Sequence, residues 1–152
     1  MKTPILCDPK KLHDFTKEIF HKSGVSIQNA DIQAELLIWA NLRGIDSHGV
    51  QRIPTYLEWI KTGIMNPKPN IIIEKDTPAT MLVEANRAPG PVVTKKITKM
   101  LIEKASKAGI SWANIRNTTH QGAMGYYSLM AADAGMAGIA IVCSPPNMAP
   151  TG

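Results

Sequence analysis

The chain has 152 residues, of which 44% are hydrophobic and 19% are charged. This length fits one compact domain and excludes two large independent ones, and this composition excludes an intrinsically disordered chain. The net charge of +5 comes from scattered lysines without a basic run, so the charge by itself identifies no partner.

The cysteine content and the apolar runs of the sequence indicate the cellular compartment. Cys7 and Cys143 have neither C-x-x-C spacing nor the density of a disulfide scaffold, which favours reduced thiols. Prolines interrupt the N-terminal residues where a signal peptide needs an unbroken apolar stretch, and the longest polar-free run, 134–143, is about half a membrane span. We therefore expect a cytoplasmic protein that does not enter a membrane.

Three amphipathic helices are predicted before any strand. Asp8 and Pro9 are typical of an N-cap and a first helical position, and Ser26 can cap a second helix. Apolar residues then recur at helical spacing up to a glycine that ends each helix. The predicted helices cover 9–24, 26–44 and 50–63, and the regular part of the third starts near Pro54.

The rest of the chain predicts strands that alternate with helices. Short apolar or β-branched runs indicate strands, and the first two are close enough to form a β-hairpin. Strands are predicted over 70–75, 80–85, 110–116 and 138–143, and helices over 91–109 and 124–134.

This order of elements predicts an α/β fold with a helical N-terminal region, 1–64, followed by a mixed sheet with covering helices, 65–152. No G-x-G-x-x-G fingerprint occurs, so a Rossmann fold is not expected. The last residues, 145–152, form a proline-rich loop with no element after it, which indicates an incomplete fold.

One polar cluster lies between the second and third predicted helices. It contains Arg43, Asp46, Ser47, His48 and Arg52, with Tyr56 one turn further on. A histidine beside a carboxylate and a guanidinium can exchange a proton next to a clamp for an anion. We expect Asp46 to fix the tautomer of His48 and to raise its pKa. The alternative is structural: Asp46 or Ser47 caps a helix, and Arg52 is a surface charge.

A second polar cluster, 117–127, follows a predicted strand and precedes the last predicted helix. Open α/β sheets place ligand sites at this position, and free N–H groups at a helix start favour an anion and a neutral imidazole at His120. Gly122 and Gly125 allow a ligand to approach the backbone. The alternative is ordinary turn chemistry around a structural histidine. No zinc motif occurs anywhere, so no metal is expected.

These clusters resemble signatures of the malate/L-lactate dehydrogenase family that is unrelated to Rossmann-type lactate dehydrogenases. The resemblance rests on residues 42–52, 116–122, 125–127, 131–135 and 144–150, which follow one another in the family's order. The family includes ureidoglycolate, sulfolactate and diketogulonate oxidoreductases. Its members are much longer, so the chain resembles only their N-terminal part.

The resemblance implies an oxidoreductase that moves a hydride between NAD or NADP and a small 2-hydroxy or 2-oxo acid such as malate or lactate. It also implies a homodimer, and it implies that 65–152 contains the start of the cofactor-binding domain. The implied roles are proton transfer for His48, carboxylate binding for Arg52, and places beside the substrate for Ser47 and Tyr56. His120 matches a second active-site histidine, which is the proton acceptor in some members of the family. Cofactor contacts are implied for His120 and Ser144.

The two histidines compete for the proton-transfer role. Because His48 neighbours the expected carboxylate clamp, we expect it to exchange the proton and His120 to bind the substrate oxygen or to position the nicotinamide.

Two other functions stay open at this point. The chain can be a truncated, non-catalytic remnant or interaction module of the same family. A basic nucleic-acid binder rests only on the lysines between Lys95 and Lys107, for which a solvated helix face is the better interpretation, so no nucleic-acid partner is expected.

Overall fold

The structure, a computed structural model, describes residues 6–143, which contain five helices, two 3₁₀ turns and three strands. In chain order these are α1 (Pro9–Lys22), α2 (Ile27–Asn41), the 3₁₀ turns Asp46–His48 and Val50–Arg52, α3 (Ile53–Lys61), β1 (Ile72–Asp76), β2 (Thr80–Glu84), α4 (Gly90–Ala108), β3 (Trp112–Arg116) and α5 (Gly125–Asp133). The predicted order of elements is confirmed up to α5.

The first two helices begin where a side chain caps their free N–H groups. The Asp8 carboxylate accepts a hydrogen bond from the backbone N–H of Lys11 at 2.8 Å, and Ser26 Oγ accepts one from Asn29 at 3.3 Å. Short-range side-chain chemistry therefore sets both helix starts, which is why the sequence predicts them well.

The sheet is mixed and has the order β1-β2-β3. β1 pairs antiparallel with β2, whereas β2 pairs parallel with β3 through the crossover helix α4. Met81 and Val83, on one face of β2, are buried and form a single apolar cluster with Val93 and Ile97 of α4. The predicted α/β fold, with helices first and a mixed sheet after them, is confirmed.

Two further apolar clusters determine where α2 lies. One side of α2 packs against α1 and α3, where Phe20, Leu37 and Tyr56 are fully buried. Another side places Leu36 against Tyr126 and Tyr127 of α5. Because α2 contacts elements from both parts of the chain, it brings the turn at its C-terminal end close to the loop before α5.

The strand predicted over 138–143 is wrong. These residues form no ladder, and the side chains of Ile139 and Ile141 are 78% and 72% exposed. Within residues 6–143, this apolar run does not pair with the free outer edge of β3, and without a cross-strand neighbour it is not a strand. An apolar cavity of about 820 Å³ lies between α4, β3, α5 and this segment.

The remaining predictions about chain organisation have different outcomes. The predicted terminal loop, 145–152, lies outside the described residues. The division between 64 and 65 stays a prediction, although Arg87 reaches across it and donates a hydrogen bond to the carbonyl of Gly63 at 2.9 Å. None of the helices within 6–143 is both long enough and apolar enough to span a membrane.

Candidate active site

Asn41, the last residue of α2, shapes the turn that carries the first polar cluster. Its amide nitrogen donates to Asp46 Oδ1 at 2.6 Å, and its amide oxygen accepts from the backbone N–H of Val50 at 2.9 Å. Gly49 lies so close that a Cβ at this position would be 2.3 Å from Asn41 Oδ1. The turn 46–50 therefore depends on one amide side chain and on a glycine that leaves room for it.

This turn places Ser47, His48 and Arg52 together. Ser47 Oγ lies 2.9 Å from Nδ1 of His48, and Arg52 Nε donates a hydrogen bond to the carbonyl of Ser47 at 2.6 Å. Burial, and then the nearby Arg52 guanidinium, lower the pKa of His48 below its ordinary value. The imidazole is therefore neutral at physiological pH and can accept a proton.

The expectation that Asp46 fixes the tautomer of His48 and raises its pKa is wrong. Asp46 accepts a hydrogen bond from Asn41, the ring of His48 meets Ser47, and the pKa of His48 is lowered. Adjacency in sequence is misleading here because the 3₁₀ turn points neighbouring side chains in different directions. Arg43 also lies outside the cluster, since its guanidinium stacks 4.0 Å over the ring of Trp39.

The second polar cluster reaches the first because its loop is tied to the start of α4. Thr119 Oγ1 donates to the carbonyl of Ala88 at 2.9 Å and accepts from the N–H of Gly90 at 3.2 Å. A Cβ on Gly90 would lie 2.3 Å from the carbonyl oxygen of His120, so only glycine permits this approach. The loop thereby carries His120 towards the turn between α2 and α3.

His120 meets both His48 and Tyr56. The two imidazole centroids are 5.3 Å apart, and the Tyr56 hydroxyl lies 2.7 Å from Nδ1 of His120. The backbone N–H of Gly122 donates to the same nitrogen at 3.2 Å. Tyr56 is fully buried, and burial raises the pKa of its hydroxyl, so the phenol keeps its proton.

The pKa of His120 is lowered to about 4, first by burial and then by the positive charge of Arg52 and by His48. The expected neutral imidazole is therefore confirmed. Its cause differs from the expected one, because α5 begins only at Gly125 and burial is the largest contribution.

Five of the six residues predicted for the site come together from two distant segments. These are Ser47, His48, Arg52, Tyr56 and His120, whereas Ser144 lies outside the described residues. Their chemical roles stay predictions.

Sequence reasoning missed Asn41 and misread Gly122. An asparagine at a helix end is a weak sequence signal, and its partners lie in irregular structure. Gly122 serves packing, not ligand approach: it has a φ of +75°, and a Cβ there would lie 2.2 Å from Leu36 Cδ2. A glycine with positive φ beside a buried leucine could not be distinguished by sequence from one that faces a ligand.

The arrangement can bind an anion and move a proton. Arg52 supplies a permanent cation, and each imidazole has an Nε2 atom without a hydrogen-bond partner in the part of the chain that the structure describes. Within residues 6–143, no three or more His, Cys, Asp or Glu side chains lie together in a group that could hold a metal ion. The guanidinium, the two imidazoles and the hydroxyls gathered here supply acid–base and hydrogen-bonding chemistry.

The lysines of α4 serve largely as partners for other side chains. Lys95 pairs with Glu35, Lys96 donates to Asn29 at 2.9 Å, and Lys104 pairs with Asp76 at 2.6 Å. Lys96, Lys99 and Lys107 are exposed, as expected for a solvated helix face, whereas the side chains of Lys95 and Lys104 are only 14% and 19% exposed and join α4 to α2 and to the hairpin.

Comparison with known proteins identifies the family. A model of the malate/L-lactate dehydrogenase family matches residues 7–152. The chain belongs to this family. The turn that carries His48, between α2 and α3, and the loop that carries His120, before α5, therefore belong to a chain of this family, as the resemblance implied.

Relatives in the family are dehydrogenases of hydroxy acids. The chain is 44% identical over 142 residues to a malate dehydrogenase of Pyrococcus abyssi, an alignment that covers 93% of this chain and 39% of that protein. It is 33% identical over 141 residues to the NAD(+) ureidoglycolate dehydrogenase of Escherichia coli, covering 93% of this chain and 40% of the relative.

The solved structure of sulfolactate dehydrogenase from Methanocaldococcus jannaschii superposes with a TM-score of 0.83 at 36% identity, over 85% of this chain and 38% of that one. The malate/L-lactate dehydrogenase family chain therefore spans about two fifths of the length of these relatives and corresponds to their N-terminal part.

Proposed function

We propose that this chain is part of an oxidoreductase that transfers a hydride between a nicotinamide cofactor and a small 2-hydroxy acid or 2-oxo acid. The observation that carries the proposal is the convergence of Arg52, His48 and His120 from two segments of the chain. The relatives' names support it, because malate, sulfolactate and ureidoglycolate are all 2-hydroxy acids.

Arg52 is the proposed binding group for the substrate carboxylate. Its Nε is already directed at the Ser47 carbonyl, which holds the guanidinium in place and leaves the terminal nitrogens for a ligand. A planar guanidinium can bind a carboxylate through two parallel hydrogen bonds, and this fixes the orientation of the hydroxyl-bearing carbon next to it. Ser47 and Tyr56 complete the surroundings of this ligand.

His48 is the proposed proton acceptor in oxidation of the hydroxy acid. The hydroxyl proton passes to Nε2 of the neutral imidazole while Nδ1–H donates to Ser47 Oγ, and the C–O single bond becomes a carbonyl as hydride leaves the carbon. In the reverse direction the imidazolium returns the proton to the carbonyl oxygen. His120 stays neutral and stabilises that oxygen through a hydrogen bond.

The side chains present fit a nicotinamide dinucleotide as the redox partner. None of them can itself accept a hydride, and His120 offers an Nε2 atom that can face a carboxamide or the substrate oxygen. The bound nicotinamide supplies the hydride acceptor or donor. His120 and Ser144 are the proposed contacts, either NAD or NADP satisfies this chemistry, and a homodimer is proposed for the longer protein.

A titration with matched variants tests the proposal. The side-chain resonances of His48 and His120 are followed by NMR as oxaloacetate or pyruvate is added to the 152-residue chain, and NADH and NADPH oxidation is recorded in parallel. We expect saturable shifts that Arg52→Ala abolishes and that Arg43→Ala, a control cation on the neighbouring surface, preserves. Absence of both shifts and turnover, or equal loss in the two variants, would contradict the proposal.

A further inference from the structure

The Tyr56 hydroxyl belongs to a fully buried side chain beside the candidate active site. Its ring is 0% exposed and packs 5.7 Å from Trp59 and 6.3 Å from Phe20, measured between centroids. The hydroxyl reaches 64 residues along the chain to Nδ1 of His120, at 2.7 Å. A buried tyrosine usually directs its hydroxyl to a partner, and here the partner is an imidazole.

A second contact at the His120 imidazole determines which ring nitrogen carries the hydrogen. Gly122 presents a backbone N–H to Nδ1 at 3.2 Å, and a backbone N–H can only donate. Nδ1 therefore carries no hydrogen, so the Tyr56 hydroxyl must also donate to it. In a neutral imidazole the other nitrogen then bears the proton, which makes the ring of His120 the Nε2–H tautomer.

We infer that Tyr56 is a positioning residue: its hydroxyl and the Gly122 amide hold His120 as the Nε2–H tautomer, a hydrogen-bond donor that cannot take the substrate proton. This inference rests on the proposed function and deepens it. An Nε2 that already carries hydrogen has no lone pair for a proton, so the hydroxyl proton of the substrate goes to Nε2 of His48. Tyr56 thus acts on the reaction through His120.

The tautomer also explains why two adjacent histidines do not duplicate one another. Nδ1 of His48 faces Ser47, a hydroxyl that can accept its hydrogen, whereas Nδ1 of His120 faces two donors. The two rings, 5.3 Å apart, are consequently held in opposite tautomers. One ring presents an acceptor at Nε2 and the other presents a donor, which is the pair of groups that a hydroxyl and its product carbonyl need.

Nitrogen-15 NMR of the 152-residue chain tests the inference directly. The ring nitrogens of His120 are recorded near pH 7 in the unmodified chain, in Tyr56→Phe, and in Tyr127→Phe as a control. Tyr127 is a second buried tyrosine whose hydroxyl donates to the same loop, at the Gln121 carbonyl, 2.5 Å away. Resonance assignment uses His120→Gln.

We expect His120 to show an acceptor-type Nδ1 and a protonated Nε2 in the unmodified chain and in Tyr127→Phe. In Tyr56→Phe the preference for this tautomer should fall by about 2- to 10-fold, the equivalent of one lost neutral hydrogen bond. In assays of turnover, Tyr56→Phe should lower kcat by a similar factor. KM for the 2-oxo acid should not change, and the pH profile of kcat should keep the limb that reports ionisation of His48.

A protonated Nδ1 in the unmodified chain would overturn the inference, and this result needs no variant to fold. An unchanged tautomer ratio in a folded Tyr56→Phe, or an equal change in Tyr127→Phe, would overturn it as well. The ring nitrogens are read without turnover or ligand, so failure of the proposed function, seen as absent substrate binding, is separate from failure of the tautomer assignment.

Discussion

The residues of the candidate active site show how the same side chain acquires different chemistry from its surroundings. His48 lies in an exposed turn beside a serine, and His120 lies in a loop beneath a buried tyrosine. Both pKa values are lowered, and in each case burial is the largest cause, with Arg52 next. The sequence indicated both histidines and Arg52, but it also predicted that Asp46 contacts His48. The structure shows that the Asp46 carboxylate accepts a hydrogen bond from Asn41 instead.

Arg52→Lys should raise KM for 2-oxo acids and leave kcat nearly unchanged. A lysine ammonium cannot reproduce two parallel hydrogen bonds to a carboxylate, and loss of one charge-assisted bond costs about 1.5–3 kcal/mol. This corresponds to a rise in KM of roughly 10- to 150-fold. Steady-state kinetics with Arg43→Lys as the control checks the expectation. An unchanged KM for every 2-oxo acid tested would show that Arg52 does not bind the substrate carboxylate.

Among the elements, those predicted best are the ones whose determinants lie within a few residues. The caps at Asp8 and Ser26 and the apolar spacing of α1 and α2 are local, so the helices could be read from the sequence. The segment 138–143 shows the limit, because an apolar run becomes a strand only when another strand pairs with it. The turn 46–52 could not be predicted for a second reason: its shape depends on the side-chain amide of Asn41 at the end of α2.

Asn41→Asp should reduce kcat/KM by about 10- to 100-fold while the helices remain folded, because a shift of about 1 Å in a positioned group can cost that much. The substitution keeps the side-chain size, removes the donor to Asp46 and places a second carboxylate next to it. Asn114→Asp on the exposed face of β3 serves as the control. Equal activity of the two variants, with equal helix content by circular dichroism, would show that the turn does not need Asn41.

At the scale of the whole molecule, the site exists because α2 joins the helical region to α4 and α5. Tyr56 and His120 are 64 residues apart, and the two rings of His48 and His120 meet only after α2 has packed on both sides. No local pattern could predict this contact. The family resemblance placed both segments in one site, whereas the composition and the spacing of the residues treated them as separate clusters.

Folding and protonation of His120 should be linked. Its pKa is about 4 in the folded chain against an ordinary value of 6.5, so between these values the unfolded chain binds the proton and the folded chain does not. This contribution to stability is complete above pH 6.5 and is lost as the pH falls towards about 4.

Urea unfolding of the 152-residue chain near pH 7 and about pH 5 should therefore show a lower free energy of unfolding at the acidic pH. The His120→Gln variant should show a smaller difference between the two conditions, because it lacks the group that takes up the proton. The same pH dependence in both proteins would contradict the lowered pKa of His120.

Two distant segments form one polar site, in which we propose that His48 exchanges the proton. This is tested most directly by the pH dependence of kcat for His48→Ala and His120→Ala, introduced at the matching positions of a full-length relative. We expect His48→Ala to lower kcat by about 10²- to 10⁴-fold and to remove one limb of the profile, whereas His120→Ala lowers kcat and keeps that limb. Loss of the limb only in His120→Ala would show that His120, and not His48, exchanges the proton.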